Sequence, residues 1–105
     1  MLIGSHRHHL PTVVVGEYRY GLARSRQRGA LGGMLDLLIS ESVVLPIVIA
    51  TTAHYADVRN ELRHRGTPIP ENDVWITALA RQHGLPVVSR DEHFDRVPGL
   101  VRRSW

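Results

Sequence analysis

The chain has 105 residues, 43% of them hydrophobic, which is enough for one domain over 1–105 with a modest core and excludes a second domain. The chain contains no cysteine, so no disulfide is expected, as is usual in the cytoplasm. Its longest apolar stretch, 43–50, is far shorter than the about 20 residues that cross a bilayer. The sequence therefore predicts a soluble, cytoplasmic protein without membrane partners. Thirteen basic residues, all arginine, against ten acids leave a formal charge of +3, which is compatible with a nucleic-acid partner and also with a coding bias toward arginine.

The first elements in chain order are two predicted helices. Thr12 can cap a helix over 13–27. Apolar residues recur along it at four-residue spacing: Val14, Tyr18 and Leu22. After Gly29, a second helix carries its apolar residues on one stripe: Leu31, Met34, Leu35, Leu38 and Ile39. Helix pairs of this kind are expected to bury their apolar faces.

A strand and a third helix follow. Residues 42–49 are rich in Val and Ile and predict a strand, with Pro46 at its end or where no ladder bond is required. The third helix is predicted to have one buried side: Ala53, Ala56, Val58 and Leu62. Gly66 is placed to end that helix in a left-handed turn.

The last third of the chain predicts a helix, a buried strand and an edge strand. Asn72 can cap the helix, and Gly84 is placed to stop it. Its apolar residues are Val74, Ile76, Ala78, Leu79 and Ala80. The segment LPVVS, 85–89, predicts a short buried strand, 90–98 a loop or single turn, and 99–105 a final edge strand.

Helices that alternate with short apolar strands predict an α/β fold, with a small, mostly parallel sheet flanked by helices. In such folds the carboxyl end of each strand and the amino end of the next helix lie at the same edge of the sheet, where ligands bind. Asp73 stands at the head of the fourth helix and Asp91 follows the strand after it. Both carboxylates are therefore expected at one rim.

Each of these two acids also has an ordinary structural explanation. Asp73 in a first helical turn gains roughly 0.3–1 kcal/mol from the helix dipole. Asp91 could make a turn in a solvated loop. Their convergence favours a site, because two carboxylates at one rim repel each other unless they are separated, solvated or bridged by a cation.

Glu17 has apolar or small neighbours at helical spacing: Val13, Val14, Tyr20 and Gly21. This pattern favours a partly enclosed carboxylate that needs a partner, although a plain solvated glutamate remains the alternative. Arg24, two turns further along, could be that partner.

A second group of candidates lies around Asp91. Ser89 and Arg90 precede it, and Asp95 follows one turn later, where it could also be a loop cap. We assign Ser89 and Arg90, with Arg24, to substrate binding. His93, beside Phe94, is interpreted as a packed loop anchor rather than a ligand.

Four segments resemble a PIN domain of the VapC toxin type, in order and spacing: VVVGEYRYGL ending at Leu22, HYADVRNELRHRG at 54–66, IPENDVWITALA at 69–80 and LPVVSRDEHF at 85–94. The resemblance implies a PIN-like three-layer α/β fold and cleavage of RNA with Mg²⁺ or Mn²⁺ held by an acidic quartet. Glu17, Asp73 and Asp91 match the second, third and fourth acids of that quartet, and Asp95 an additional acid of some members. A cognate antitoxin and a homodimer are the partners implied.

The sequence departs from that pattern at its start. PIN domains open with a strand that ends in an aspartate, but no acid precedes Glu17 here, and sixteen residues leave no room for that strand and its usual helices. We expect either an N-terminally truncated domain or a substitute strand formed by MLIGSHRHH. A lost central strand would leave its neighbours unpaired and favour a dimer completed by strand exchange.

Two functions are therefore in competition. One is a VapC-like ribonuclease weakened by the loss of the first acid. The other is a catalytically inactive PIN domain that dimerises and binds RNA or antitoxin. An unrelated small α/β interaction domain, without metal-dependent behaviour, is a remote third.

Overall fold

The computed structural model describes residues 2–3 and 8–104, which form five short strands, four helices and one 3₁₀ turn. In chain order these are β1 (Leu2–Ile3), β2 (His9–Pro11), α1 (Thr12–Leu22), α2 (Arg28–Glu41), β3 (Val43–Leu45), α3 (Ile49–Arg65), α4 (Glu71–His83), β4 (Val87–Val88), the 3₁₀ turn (Glu92–Arg96) and β5 (Arg102–Arg103). The predicted α/β class is confirmed. In this part of the chain, no helix is both long and apolar enough to span a membrane.

The five strands form one sheet in the order β3-β2-β1-β4-β5. β2 is parallel to β3, and β4 is parallel to β5, whereas β1 is antiparallel to both of its neighbours. Ile3 pairs with His9 and Leu2 pairs with Val88. The expectation of unpaired strands at the centre of the sheet is therefore wrong, and the alternative of a substitute strand is confirmed.

The direction of β1 follows from the short connection to β2. Only residues 4–8 separate the two strands, and a parallel connection needs a crossover of a dozen residues or more, whereas a short loop suffices for an antiparallel pair. The amino end of β1 consequently lies beside the carboxyl end of β4, because Leu2 is opposite Val88.

The first helix is shorter than the sequence pattern predicts. α1 ends at Leu22 rather than Gln27, and Thr12 is its first helical residue rather than its cap. The Thr12 hydroxyl instead donates to the carbonyl oxygen of Leu45 at 3.2 Å, which ties α1 to β3. The proline before it, Pro11, has the fixed φ that suits the entry to a helix.

The middle of the chain follows the predicted order with corrected boundaries. The strand predicted over 42–49 is limited to β3, with Pro46 beyond its end, because α3 already begins at Ile49. The buried side of α3 is Thr51, Val58 and Leu62. Ala53 and Ala56 are exposed, contrary to expectation. The apolar pattern did not identify Thr51 as a buried residue. Its burial is tolerated because its hydroxyl donates a hydrogen bond to Oε1 of Gln82 at 2.6 Å.

α4 is the most buried helix and packs against α3 and α1. Gly66 and Gly84 end α3 and α4 in left-handed turns, with φ of 66° and 65°, as predicted. Asn72 is the second helical residue and not the cap, since the helix begins at Glu71.

One main core cluster joins the sheet to α1, α4 and the 3₁₀ turn: Leu10, Val14, Leu45, Ile76, Leu79, Ala80, Val87 and Phe94. Phe94 is completely buried. Its burial fixes the 3₁₀ turn, and with it the loop after β4, against α4.

Candidate functional site

Asp73 is the buried acid of the predicted rim. It is the third residue of α4, its backbone N–H donates to the carbonyl oxygen of Pro70 at 3.0 Å, and it is only 7% exposed. Burial raises the pKa of the Asp73 carboxyl above its usual value, and the charges of Glu17 and Asp91 raise it further, while His93 opposes the change.

His93 is the closest titratable neighbour of Asp73. Its Nε2 lies 2.8 Å from Oδ2 of Asp73, yet this nitrogen is buried without a well-aligned hydrogen bond. The ring also packs on Phe94, with centroids 4.7 Å apart and planes tilted by 40°. The sequence interpretation of His93 as a packed anchor agrees with its contact with Phe94. It missed the contact with Asp73, which is twenty positions away in the chain.

Asp91 follows β4 and is exposed. Its backbone N–H donates to the hydroxyl of Ser89 at 3.0 Å. Ser89 itself is 1% exposed, and its own backbone N–H donates to the carbonyl oxygen of Arg103 in β5 at 2.9 Å. The Ser89 hydroxyl therefore holds the Asp91 turn in place and is turned away from solvent.

Asp95 is engaged by a cation from the edge of the sheet. Both of its carboxylate oxygens accept hydrogen bonds from the guanidinium of Arg102, at 2.8 Å and 3.0 Å. This pairing holds the pKa of the Asp95 carboxyl below its usual value. The Arg102 guanidinium therefore competes with a metal ion for Asp95.

Glu17 is exposed, which corrects the expectation of an enclosed carboxylate. Val14 is buried, but Tyr20 is 71% exposed, so the apolar residues of α1 do not form a wall around Glu17. Arg24, the predicted partner, has its guanidinium carbon 5.8 Å from the centroid of the Tyr20 ring. Arg90 lies exposed in the loop beside Asp91.

No three His, Asp or Glu side chains within the described ranges 2–3 and 8–104 are already gathered closely enough to hold a metal ion. The chemistry of the set nevertheless fits a hard divalent cation, because carboxylate oxygens are its preferred ligands and their mutual repulsion would be relieved by it. Glu17 and Asp91 are exposed, whereas Asp73 is buried.

An α/β sheet that brings carboxylates from the start of a helix and the end of a strand to one rim is an arrangement that can hold a divalent cation. The family model for the PIN domain matches residues 2–100, and the chain belongs to the PIN-domain family. The resemblance seen in the sequence is confirmed.

Several relatives are named VapC ribonucleases. Ribonuclease VapC2 of Rickettsia felis is 26% identical over 97 residues, which cover 91% of this chain and 72% of that protein. Ribonuclease VapC2 of Haemophilus influenzae is 30% identical over 95 residues, covering 90% and 72%. Among solved structures, VapBC2 from Rickettsia felis bound to a DNA fragment from its promoter matches with a TM-score of 0.85 at 26% identity, covering 92% of this chain and 74% of that one. The chain is thus a PIN-domain protein of the VapC ribonuclease type, a group of divalent-metal-dependent nucleases.

Proposed function

We propose that this protein is a VapC-like endoribonuclease toxin that hydrolyses RNA phosphodiesters with Mg²⁺ or Mn²⁺ at Glu17, Asp73 and Asp91. The observation that carries the proposal is the match of the PIN-domain model to residues 2–100, together with the ribonuclease relatives. The charges of Glu17 and Asp91 also raise the pKa of the buried Asp73 carboxyl. These acids come from α1, α4 and the loop after β4, and their coupling supports a shared rim.

The three carboxylates would hold the cation, with Asp73 as its fixed anchor and the exposed Glu17 and Asp91 as adjustable ligands. A bound divalent ion lowers the pKa of an attacking water and offsets charge that grows on the phosphate. Mg²⁺ keeps several waters, and two or three carboxylates with a substrate phosphate are enough to bind it.

The remaining residues of the rim orient the substrate and the acids. Ser89 fixes the turn that presents Asp91 through its 3.0 Å hydrogen bond. Arg24 and Arg90 are exposed, and guanidinium groups bind phosphate in a bidentate manner, so we assign them to the RNA backbone. We assign Asp95 as an additional metal ligand, for which the cation would compete with the guanidinium of Arg102.

The partners follow from the relatives. The VapBC2 structure of Rickettsia felis is a toxin–antitoxin complex, and we propose that a cognate antitoxin binds this chain and that the toxin forms a homodimer in the cytoplasm. Exchange of a central strand is not required for the dimer, because β1 already occupies the centre of the sheet.

A catalytically inactive protein that binds RNA or antitoxin is the second candidate. One observation favours it: the central strand runs antiparallel, so its amino end lies at the rim, where a parallel strand would place its carboxyl end. No acid precedes Glu17 in this sequence. A rim of three carboxylates offers a cation fewer ligands and less negative charge than a rim of four, and so binds it more weakly.

Cleavage of a structured RNA in Mn²⁺ separates the two functions. The experiment compares the unmodified protein with Glu17→Gln and with a matched control, Glu41→Gln, which changes an exposed glutamate at the end of α2. A nuclease predicts cleavage that persists in the control and falls at least about tenfold in Glu17→Gln. Equal traces of cleavage in all three proteins contradict the nuclease, and retained RNA binding then supports the inactive alternative.

A further inference from the structure

The imidazole of His93 carries an inference about the composition of the metal site. We infer that His93 Nε2 is a ligand of the cation at this rim, beside Asp73, and that the site consequently prefers Mn²⁺ and later transition metals to Mg²⁺. The inference rests on the proposed metal-dependent function and specifies a ligand that the acidic motif does not supply.

The first argument is the distance between the two ligand atoms. Nε2 of His93 lies 2.8 Å from Oδ2 of Asp73. Two neighbouring ligands of an octahedral ion, with bonds of about 2.1 Å at right angles, are about 3 Å apart. The observed pair therefore already has the spacing of one edge of a coordination shell.

The second argument is the burial of the nitrogen. Nε2 of His93 is buried, and it faces Oδ2 of Asp73 at ion-pair distance without a hydrogen bond of good alignment. A cation that replaces the proton between these two atoms could bind both of them without requiring that alignment.

The third argument is the rigidity of the ring. His93 belongs to the 3₁₀ turn Glu92–Arg96 and packs against Phe94, which is completely buried. Both ligand atoms are thus held by the core, through Phe94 and through α4, before any cation arrives. Glu17 and Asp91 are exposed and complete the shell by side-chain rotation.

The preference for particular metals follows from the ligand types. Mg²⁺ binds oxygen almost exclusively, while imidazole suits Mn²⁺ and, more strongly, the later divalent metals. The imidazole of His93 would add a ligand atom to the three carboxylates of the rim but no negative charge. Binding of Mg²⁺ should therefore suffer more than binding of Mn²⁺.

Pulsed electron paramagnetic resonance of bound Mn²⁺ tests the inference without recourse to activity. A nitrogen ligand produces ¹⁴N modulation of the Mn²⁺ echo, which we expect in the unmodified protein. His93→Gln should abolish this modulation and weaken Mn²⁺ binding about tenfold or more, with a much smaller change for Mg²⁺. The matched control is His83→Gln, at the exposed end of α4, which should retain both the modulation and the affinity.

The outcomes distinguish this inference from the proposed function. Mn²⁺ that binds without ¹⁴N modulation in the unmodified protein, or with modulation that survives in His93→Gln, overturns the role of His93 and leaves an all-oxygen site intact. Mn²⁺ that fails to bind at all overturns both. If His93→Gln does not fold, as judged by circular dichroism, the unmodified protein produced with ¹⁵N-labelled histidine decides: replacement of the ¹⁴N modulation by a ¹⁵N signal supports a histidine ligand, and unchanged ¹⁴N modulation overturns it.

Discussion

Replacing Asp73 with asparagine is expected to stabilise the metal-free protein at neutral pH. The Asp73 carboxyl is 7% exposed, and its pKa is raised first by burial and then by the charges of Glu17 and Asp91, against the opposing influence of His93. The folded state therefore disfavours the ionised side chain. Asparagine has the same shape without the charge, so it removes that penalty while its amide still faces the His93 ring.

The sign of the pH dependence follows from the raised pKa. Below the usual carboxyl value of 3.8, Asp73 is protonated in both states and there is no penalty. As pH rises, the unfolded chain ionises first, so the folded protein loses stability until the raised pKa of the folded state has been passed. The largest difference between the two proteins is therefore expected above the raised pKa of the Asp73 carboxyl.

The free energy of unfolding should rise by about 0.5–2 kcal/mol at pH 7.5, the usual gain from a single stabilising substitution. In a domain of this size, each kcal/mol moves the melting temperature by about 4–8 °C. Urea unfolding at pH 3.5 and pH 7.5 measures the free energy of unfolding of the unmodified protein, of Asp73→Asn and of the control Asp57→Asn, an exposed aspartate on α3.

The expected gain appears at pH 7.5, fades at pH 3.5 and is absent from the control. Mn²⁺ at a hundred times its dissociation constant should then stabilise the unmodified protein by about 2.7 kcal/mol and leave the asparagine variant almost unchanged. A loss of stability in Asp73→Asn at pH 7.5, or an equal gain at both pH values, would refute the reasoning.

Two further predictions concern the loop after β4 and the RNA surface. Ser89→Ala removes the acceptor of the Asp91 N–H, so we expect about 0.5–1.5 kcal/mol lower stability in urea unfolding; unchanged stability would show that the turn does not depend on this bond. Arg24→Gln should weaken RNA binding and reduce the slope of log affinity against log salt by about one, measured by fluorescence anisotropy. The control Arg65→Gln, at the exposed end of α3, should leave that slope unchanged; equal effects would assign Arg24 to a general electrostatic field.

The sequence predicted those features that depend on local chemistry. Glycines at 66 and 84 end helices because only that residue adopts a positive φ without strain, and the position of Asp73 in a first helical turn follows from the pattern of α4. Features that depend on packing were predicted less well. The exposure of Glu17 reflects where α1 meets the core rather than its neighbours along the helix.

Long-range contacts were the least accessible to sequence reasoning. The contact between His93 and Asp73 and the bidentate pair between Asp95 and Arg102 join residues on different elements, and neither spacing is periodic. The resemblance to PIN domains aligned the acids but gave no account of their partners. The structure shows those partners. Both Asp91 and Asp95 are exposed, but the Asp95 carboxylate is paired with Arg102.

The direction of the central strand links the fold to the chemistry. A connection of five residues forces β1 to run antiparallel to β2, and an antiparallel strand turns its amino end toward the rim where the neighbouring strands place their carboxyl ends. β1 therefore satisfies backbone hydrogen bonds of the strands on both of its sides. In the proposed metal site, the ligands come from α1, α4 and the segment after β4, where His93 lies beside Asp73.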